Sequence, residues 1–195
     1  MTRPLPGPTL PGLPPPRTGA EVARRRGKRA QANGNAGERF AEQLHDHCAR
    51  EEVAQVRRVT TNLRIVAMET FPFVRCVITG PSIVDFEGTM DDGTGRTVGV
   101  ECKHIEVPLL TNLRPGALRF PLVQLPQHQR DYLAGLHARH GVAILLVVTS
   151  RGEAFALPWP AVRDVIEAGR ASLDEEALAP WRVEPGRPYL ARWAR

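Results

Sequence analysis

The sequence VDFEGTMDDGTGRTVGVECK occupies residues 84–103. Its middle, DDGTG at residues 91–95, is rich in residues that favour tight turns, and branched or aromatic residues lie on both sides. The pattern predicts two antiparallel strands, Ser82–Met90 and Arg96–Val107, joined by that turn. Such a hairpin brings Asp85 beside Glu101.

The second predicted strand separates its side chains between two faces. Glu101 and Lys103 point the same way, whereas Val100 and Cys102 point into the opposite layer. Two neighbouring carboxylates repel each other unless a cation neutralises them, and oxygen ligands favour a hard ion such as Mg²⁺. A lysine two residues beyond such a glutamate can offset charge that develops on a phosphate.

Composition singles out Lys103. The chain has 24 arginines and only two lysines, Lys28 and Lys103, so a compact ammonium at this position is unusual for the sequence. The alternative interpretation is a salt pair between Glu101 and Lys103 on a solvated face. Glu87 is expected to face away from the neighbours of Asp85, and we leave it out of the predicted site.

Outward from the hairpin, hydrophobic periodicity and turn residues predict the remaining elements. Gly141 is expected to end the second helix as a left-handed cap, and the run of apolar residues after it predicts a buried central strand. The predicted elements are a helix at residues 36–56, strands at 59–68 and 71–78, a helix at 124–140, strands at 142–149 and 151–157, and a helix at 161–168. This order predicts an α/β fold with a mixed β-sheet covered by helices on both faces.

Residues 1–32 differ in composition from the rest of the chain. Seven of the 18 prolines fall in the first 16 residues, and proline removes the amide donors that a helix or sheet needs. This segment carries seven basic side chains against Glu21, a local charge of +6, whereas the other 163 residues sum to −1. We therefore predict a disordered basic N-terminal arm at residues 1–32 and a globular domain at 33–195, with ordered structure from about Asn33–Gly37.

The charge of the arm indicates a polyanionic partner, most simply DNA. The side chains expected to contact it are Arg24, Arg25, Arg26, Lys28 and Arg29. A solubilising tail is the alternative interpretation of the same charges.

Other features exclude several classes of protein. No segment approaches the ~20 apolar residues that cross a bilayer, and the N-terminus lacks the apolar segment of a secretory signal. Three cysteines are too few for a disulfide framework or a zinc knuckle. The histidines at 45, 47, 137 and 140 lack ligand spacing and are expected on solvated helix faces. We expect a cytoplasmic, nucleoid-associated protein without a membrane partner.

Two motifs resemble a known family. Asp85, the hairpin and Glu101-x-Lys103 resemble the D…(D/E)-x-K site of restriction-endonuclease-like nucleases. The segment FPL at residues 120–122, followed by His128-Gln129, resembles the Phe-Pro-Leu…His-Gln segment of RecU-type Holliday junction resolvases. The resemblance covers roughly residues 38–159 and is strongest over 82–103 and 120–148.

The resemblance implies a restriction-endonuclease-like fold and assigns roles to matched positions. Asp85, Glu101 and Gln129 would hold Mg²⁺, or Mn²⁺ in its place, and Lys103 would stabilise the transition state. Glu38, on the opening helix, would reach the metal indirectly.

Three features depart from the family. Ile83 stands where these resolvases usually have a threonine, and Gly99 stands where they often have an aspartate. The segment between Arg57 and Asp85 is also shorter than the family's protruding stalk.

The resemblance implies a homodimeric, metal-dependent endonuclease that cleaves four-way DNA junctions in recombination and repair. One alternative is a nuclease of the same fold with a linear, flap or mismatched DNA substrate. The other is a non-catalytic DNA-binding protein that kept the fold, which the departures at Ile83 and Gly99 favour.

Overall fold

A computed structural model of the chain describes residues 19–59, 63–68, 74–78, 84–107 and 118–194. The chain divides after Ala32 into two units. In chain order, the helices and strands are α1 (Gly19–Arg50), β1 (Ala54–Arg58), β2 (Leu63–Met68), β3 (Val74–Ile78), β4 (Phe86–Met90), β5 (Thr97–Ile105), β6 (Arg119–Pro121), α2 (Gln127–Ala138), β7 (Val142–Thr149), β8 (Ala154–Pro158), α3 (Trp159–Glu167), β9 (Ser172–Asp174) and α4 (Glu175–Leu178).

The unit from Asn33 onward is an α/β structure built on a mixed five-stranded sheet. The strand order is β1-β4-β5-β7-β8. Strands β5 and β7 are parallel, with α2 in the crossover between them, and the other neighbours are antiparallel. Strand β7 is buried at every position, as its continuous apolar sequence predicts.

Helices cover both faces of this sheet. Alternate residues of β5 and β7, such as Val100 and Ile144, pack with α1 and with the C-terminal residues Tyr189 and Leu190. The residues between them pack with α2 and α3 in a second core that includes Leu133. The predicted mixed sheet with helices on both faces is therefore confirmed.

The first helix and the strand that follows it differ from the predicted bounds. Helix α1 begins at Gly19, earlier than the expected start of order, and ends at Arg50 rather than Val56. The backbone of Glu52 is left-handed, with φ of 53°, and β1 follows. Val53 and Val56 fit the helical spacing of α1, but they reach the same core after the chain has turned into a strand.

The segment between β1 and β4 holds a separate two-stranded sheet. Strands β2 and β3 pair antiparallel with each other, and no pairing with the five-stranded sheet occurs in the described residues. The sequence predicted both strands but not their separation from the mixed sheet.

The end of α2 differs from the predicted cap. The left-handed residue is His140, with φ of 62°, and not Gly141. Glycine is needed at 141 because a Cβ there would lie 2.3 Å from Leu136 Cδ1 and 3.0 Å from the Thr97 carbonyl oxygen. The requirement is therefore close packing against α2 and β5 rather than backbone conformation.

None of the helices in the described ranges combines the length and apolarity that a membrane crossing requires.

Candidate functional site

The hairpin of β4 and β5 places two carboxylates on neighbouring strands. Phe86 pairs with Val100, so Asp85 lies opposite Glu101 in the next step of the same register. Asp85 Oδ2 accepts a hydrogen bond from the Cys102 backbone N–H at 2.9 Å. This bond fixes the aspartate against β5, and the predicted turn at residues 91–95 makes the pairing possible.

The side chains of β5 alternate between the two faces of the sheet, as predicted. Val100 and Cys102 belong to the core under α1, whereas Glu101 and Lys103 lie on the face that α2 covers. Lys103 Nζ is 2.6 Å from Glu101 Oε1. The Glu101 side chain is only 1% exposed, so this ion pair does not lie on a solvated face.

Burial makes the Glu101 carboxylate costly to ionise. Its pKa is raised from 4.5 to about 7, first by burial and then by the negative charge of Asp85, and the Lys103 ammonium opposes part of the rise. The Lys103 ammonium contacts Oε1, whereas Oε2 has no hydrogen-bond partner in the described residues. The site therefore holds an acceptor group that the protein leaves unsatisfied.

Gln129 adds a second unsatisfied acceptor on the same face. It lies in the first turn of α2, which crosses from the C-terminal end of β5 to the start of β7. Its amide oxygen is buried and has no hydrogen-bond partner. One and two turns further along, Tyr132 and Leu136 lie directly over Gly99, so this side of α2 faces the strand that carries Glu101.

The donor set of the site suits a hard divalent cation. Glu101 Oε2 and the Gln129 amide oxygen have no hydrogen-bond partner in the described residues, and Asp85 supplies a further carboxylate. Mg²⁺ is commonly held by one or two carboxylates, with water or substrate oxygens completing its shell. Within the described ranges, no three His, Cys, Asp or Glu side chains are grouped as a metal site, so such an ion would rely on the glutamine and on non-protein ligands.

Glu38 lies on the other side of the sheet. Gly37 allows α1 to approach β5 closely, since a Cβ there would be 2.9 Å from His104 Cβ. The Glu38 carboxylate binds Arg58 of β1. Its charge helps to raise the pKa of the Cys102 thiol, after the larger effects of burial, Asp85 and Glu101. The structure therefore places Glu38 near β5 but pairs it with an arginine rather than with Glu101.

Glu87 is a residue that the sequence interpretation missed. Asp85 and Glu87 are two positions apart on one extended segment, so they share a face, and the expectation that Glu87 faces away is wrong. Glu87 pairs with Gly99 across the strands and accepts a hydrogen bond from the Tyr132 hydroxyl. Burial and this acceptor raise the pKa of Tyr132. The period of two along the strand was the available signal.

A Cβ at Gly99 would lie 2.6 Å from Leu136 and 3.0 Å from Tyr132. No room therefore remains at this position for the acidic side chain that the resembling family often has.

The remaining predicted site residues fall outside the described side chains. Arg24, Arg25, Arg26, Lys28 and Arg29 lie on the N-terminal part of α1, whose backbone alone is described. Ile83 lies outside the described residues.

His45 contradicts the expectation of a solvated helix face. It is 2% exposed and forms a 2.8 Å hydrogen bond with the Tyr189 hydroxyl.

Comparison with known protein families and with curated proteins finds no match to this chain. The functional argument therefore depends on the residues themselves. Of the predicted site, Asp85, Glu101 and Lys103 are brought together by contacts or register, and Gln129 lies on the same covered face.

Proposed function

We propose that this chain is a Mg²⁺-dependent endonuclease with a restriction-endonuclease-like fold that cleaves four-way DNA junctions. The observation that carries the proposal is the buried Glu101 carboxylate, which faces Asp85, has the Lys103 ammonium at 2.6 Å on Oε1 and has no hydrogen-bond partner for Oε2 in the described residues. A buried charge of this kind lowers the stability of the fold. The binding of a cation during function explains why the protein keeps the charge in spite of that cost.

Each residue of the site has a role in phosphodiester hydrolysis. Asp85, Glu101 and Gln129 would hold the cation, which when bound supplies Lewis-acid activation and neutralises phosphate charge. Lys103, 20% exposed and beside Glu101, can donate to a phosphate oxygen as negative charge grows on it. Water forms the new bond to phosphorus and gives up a proton to solvent, while the bond from phosphorus to the leaving oxygen breaks and that oxygen takes up a proton from solvent.

A purely structural role explains the arrangement less well. In a structural ion pair, each acceptor oxygen has a donor. Asp92 is an example, because Arg96 donates to its carboxylate at 2.9 Å and the Thr94 backbone N–H donates to the same carboxylate. Glu101 instead has the single ammonium of Lys103 at 2.6 Å and the negative charge of Asp85 close by. One positive charge against two negative ones leaves the site short of cations.

The junction substrate rests on the resemblance to RecU-type resolvases. In the segment that carries the second motif, Phe120 is fully buried in the core under α2, and Gln129 lies in the first turn of the helix that covers Glu101. Symmetric cleavage of a four-way junction needs two sites on opposed strands, which a homodimer supplies. The basic arm would add sequence-independent affinity for DNA.

Gly99 favours a second candidate, a DNA-binding protein of this fold without catalysis. The space above Gly99 is filled by Tyr132 and Leu136, so an acidic ligand of the resembling family has no equivalent at this position. The catalytic proposal requires water or substrate oxygens to replace that ligand.

The test compares cleavage of a mobile four-way junction and a linear duplex of the same sequence in Mg²⁺. We expect the wild-type protein to cut the junction in preference, and Lys103→Ala to lower the rate by about 10²–10³-fold. Glu167→Gln, on the exposed surface of α3, is the control and should cleave normally.

If the protein cleaves the duplex as fast as the junction or faster, its substrate is a DNA other than a four-way junction. Binding of both DNAs without cleavage in Mg²⁺ or Mn²⁺ would support the non-catalytic alternative.

A further inference from the structure

A groove of about 360 Å³ lies on the outer strands of the sheet, next to the carboxylates. It is formed by β1, which is an edge strand, and by β4. Its lining residues are Gln55, Val56, Arg57, Glu87, Gly88 and Thr89. No hydrophobic core covers this surface, since Gln55, Arg57 and Thr89 are exposed.

The groove shares its face with the candidate site. Arg57 pairs with Glu87, and Glu87 lies two residues from Asp85 on the same face. Arg57 is therefore the diagonal neighbour of Asp85, a separation of about 7–8 Å between such positions in antiparallel strands. The length of an arginine side chain is enough to bring its guanidinium to the edge of the carboxylate pair.

Arg57 differs from its neighbour Arg58 in its partners. Arg58 points to the other face and binds Glu38 on α1, with Glu42 3.8 Å away. Arg57 makes no hydrogen bond or ion pair with any residue in the described ranges, even though Glu87 lies opposite to it. The Glu87 carboxylate instead accepts from Tyr132. Among the residues that the structure describes, none therefore competes with an anion from solution for the Arg57 guanidinium.

The charge of this face requires such a cation if DNA is to approach. Asp85, Glu87 and Glu101 are acidic, and Lys103 is the basic residue beside them. A polyanion that comes within a few ångströms of three carboxylates is repelled unless positive groups flank them. Arg57 and Lys103 lie at opposite corners of the site, with Asp85 and Glu101 between them.

The spacing of the two cations assigns them to different phosphates. Strand separation and rise place the Cα atoms of Arg57 and Lys103 about 16 Å apart. Lys103 Nζ is held at Glu101, and Asp85 and Glu101 lie between it and Arg57. Lys103 therefore acts at the scissile phosphate, and Arg57 is positioned for a neighbouring phosphate of the same strand.

We propose that the groove of β1 and β4 receives the DNA strand beside the cleavage point, with Arg57 as its phosphate contact. The inference rests on the proposed nuclease function, because it takes the carboxylate pair as the place where the DNA backbone lies. It identifies a positioning residue that the motif does not include.

The experiment measures DNA affinity against salt concentration by fluorescence anisotropy, in Mg²⁺ and in a Lys103→Ala background that suppresses cleavage. We expect Arg57→Ala to weaken binding about tenfold at low salt and to reduce the slope of log affinity against log salt by about one. Arg57→Lys should keep the slope. Arg163→Ala, which removes an exposed arginine from α3, controls for net charge and should leave the slope unchanged.

The outcomes separate this inference from the proposed function. If the wild-type protein cleaves DNA and Arg57→Ala binds with the same slope as Arg163→Ala, the phosphate contact is wrong. If no condition gives cleavage but Arg57→Ala still loses affinity and slope, the nuclease function fails and the contact stands. Because Arg57 is exposed, thermal unfolding of Arg57→Ala should match that of the parent and exclude misfolding as the cause.

Discussion

At the scale of single residues, Glu101 lies where an ionised carboxylate lowers stability. The raised pKa means that the folded state binds a proton more tightly than the unfolded chain between pH 4.5 and about 7. Stability therefore falls as pH rises through that window. In the absence of a cation, the folded protein above pH 7 carries the full cost of this buried charge.

The Glu101→Gln variant should be more stable than the wild type without divalent metal. Gln keeps the shape of the side chain and removes the charge that Asp85 and burial oppose, so we expect the free energy of unfolding at pH 8 to rise by about 1–3 kcal/mol. Urea unfolding in the presence of a chelator measures it. Glu167→Gln should change the same quantity by less than about 0.5 kcal/mol, and an equal effect of the two substitutions would contradict the account.

The sequence predicts part of the site because strand geometry is local. Once the turn at residues 91–95 is recognised, the register that places Asp85 opposite Glu101 follows, as does the shared face of Glu101 and Lys103. The environment of Glu87 depends on Tyr132 of α2, and the burial of His45 depends on Tyr189. Such contacts come from tertiary packing, which no spacing along the chain reveals.

At the scale of elements, the connection from α2 to β7 shows two residues with exchanged roles. His140 adopts the left-handed conformation that glycine favours, and Gly141 stands where a side chain would collide with Leu136. The sequence HG marks the end of the helix correctly, but periodicity alone does not distinguish a conformational need for glycine from a steric one.

Substitutions at the two positions should act in opposite directions. We expect His140→Gly to raise the free energy of unfolding by about 1 kcal/mol, because it relieves the left-handed backbone of a non-glycine residue. Gly141→Ala should lower it by about 2 kcal/mol, because Leu136 and the Thr97 carbonyl leave no room. Thermal or urea unfolding of both variants tests this, and destabilisation by His140→Gly would contradict the assignment.

Most other elements are predictable from the chain, with one instructive exception. Strands β5, β7 and β8 and helix α3 lie within a few residues of their predicted bounds, since apolar runs between turn residues specify them. The predicted first helix includes residues 54–56 of β1, because Val53 and Val56 continue the helical spacing of the residues before them. Only the reversal at Glu52 separates the two elements.

At the scale of the whole molecule, one buried hydrogen bond joins α1 to the C-terminal segment. His45 lies between Phe86 and Tyr189 and bonds to the tyrosine hydroxyl. Burial lowers its pKa from 6.5 to about 4, so the folded protein keeps it neutral where the unfolded chain would be protonated. The contribution of neutral His45 to the free energy of unfolding is complete above pH 6.5 and is lost as the pH falls towards 4.

Lowering the pH should therefore reduce the stability of the folded protein over the range in which His45 becomes protonated. We expect the free energy of unfolding to fall by about 3 kcal/mol between pH 6.5 and 4 through this residue. The His45→Gln variant, which can still bond to Tyr189, should lose that part of the pH dependence. His128→Gln, at an exposed position of α2, is the control, and an equally steep fall in His45→Gln would contradict the prediction.

The central claim is that the carboxylates of Asp85 and Glu101 together bind a divalent cation. Titration of the metal-free protein with Mn²⁺, with the free ion followed by electron paramagnetic resonance at pH 8, tests it without any DNA. The account predicts binding by the wild type, a loss of at least tenfold in affinity for Glu101→Gln and for Asp85→Asn, and no change for Glu167→Gln. Wild-type protein that binds no Mn²⁺, or variants that bind it as tightly as the wild type, would contradict the account.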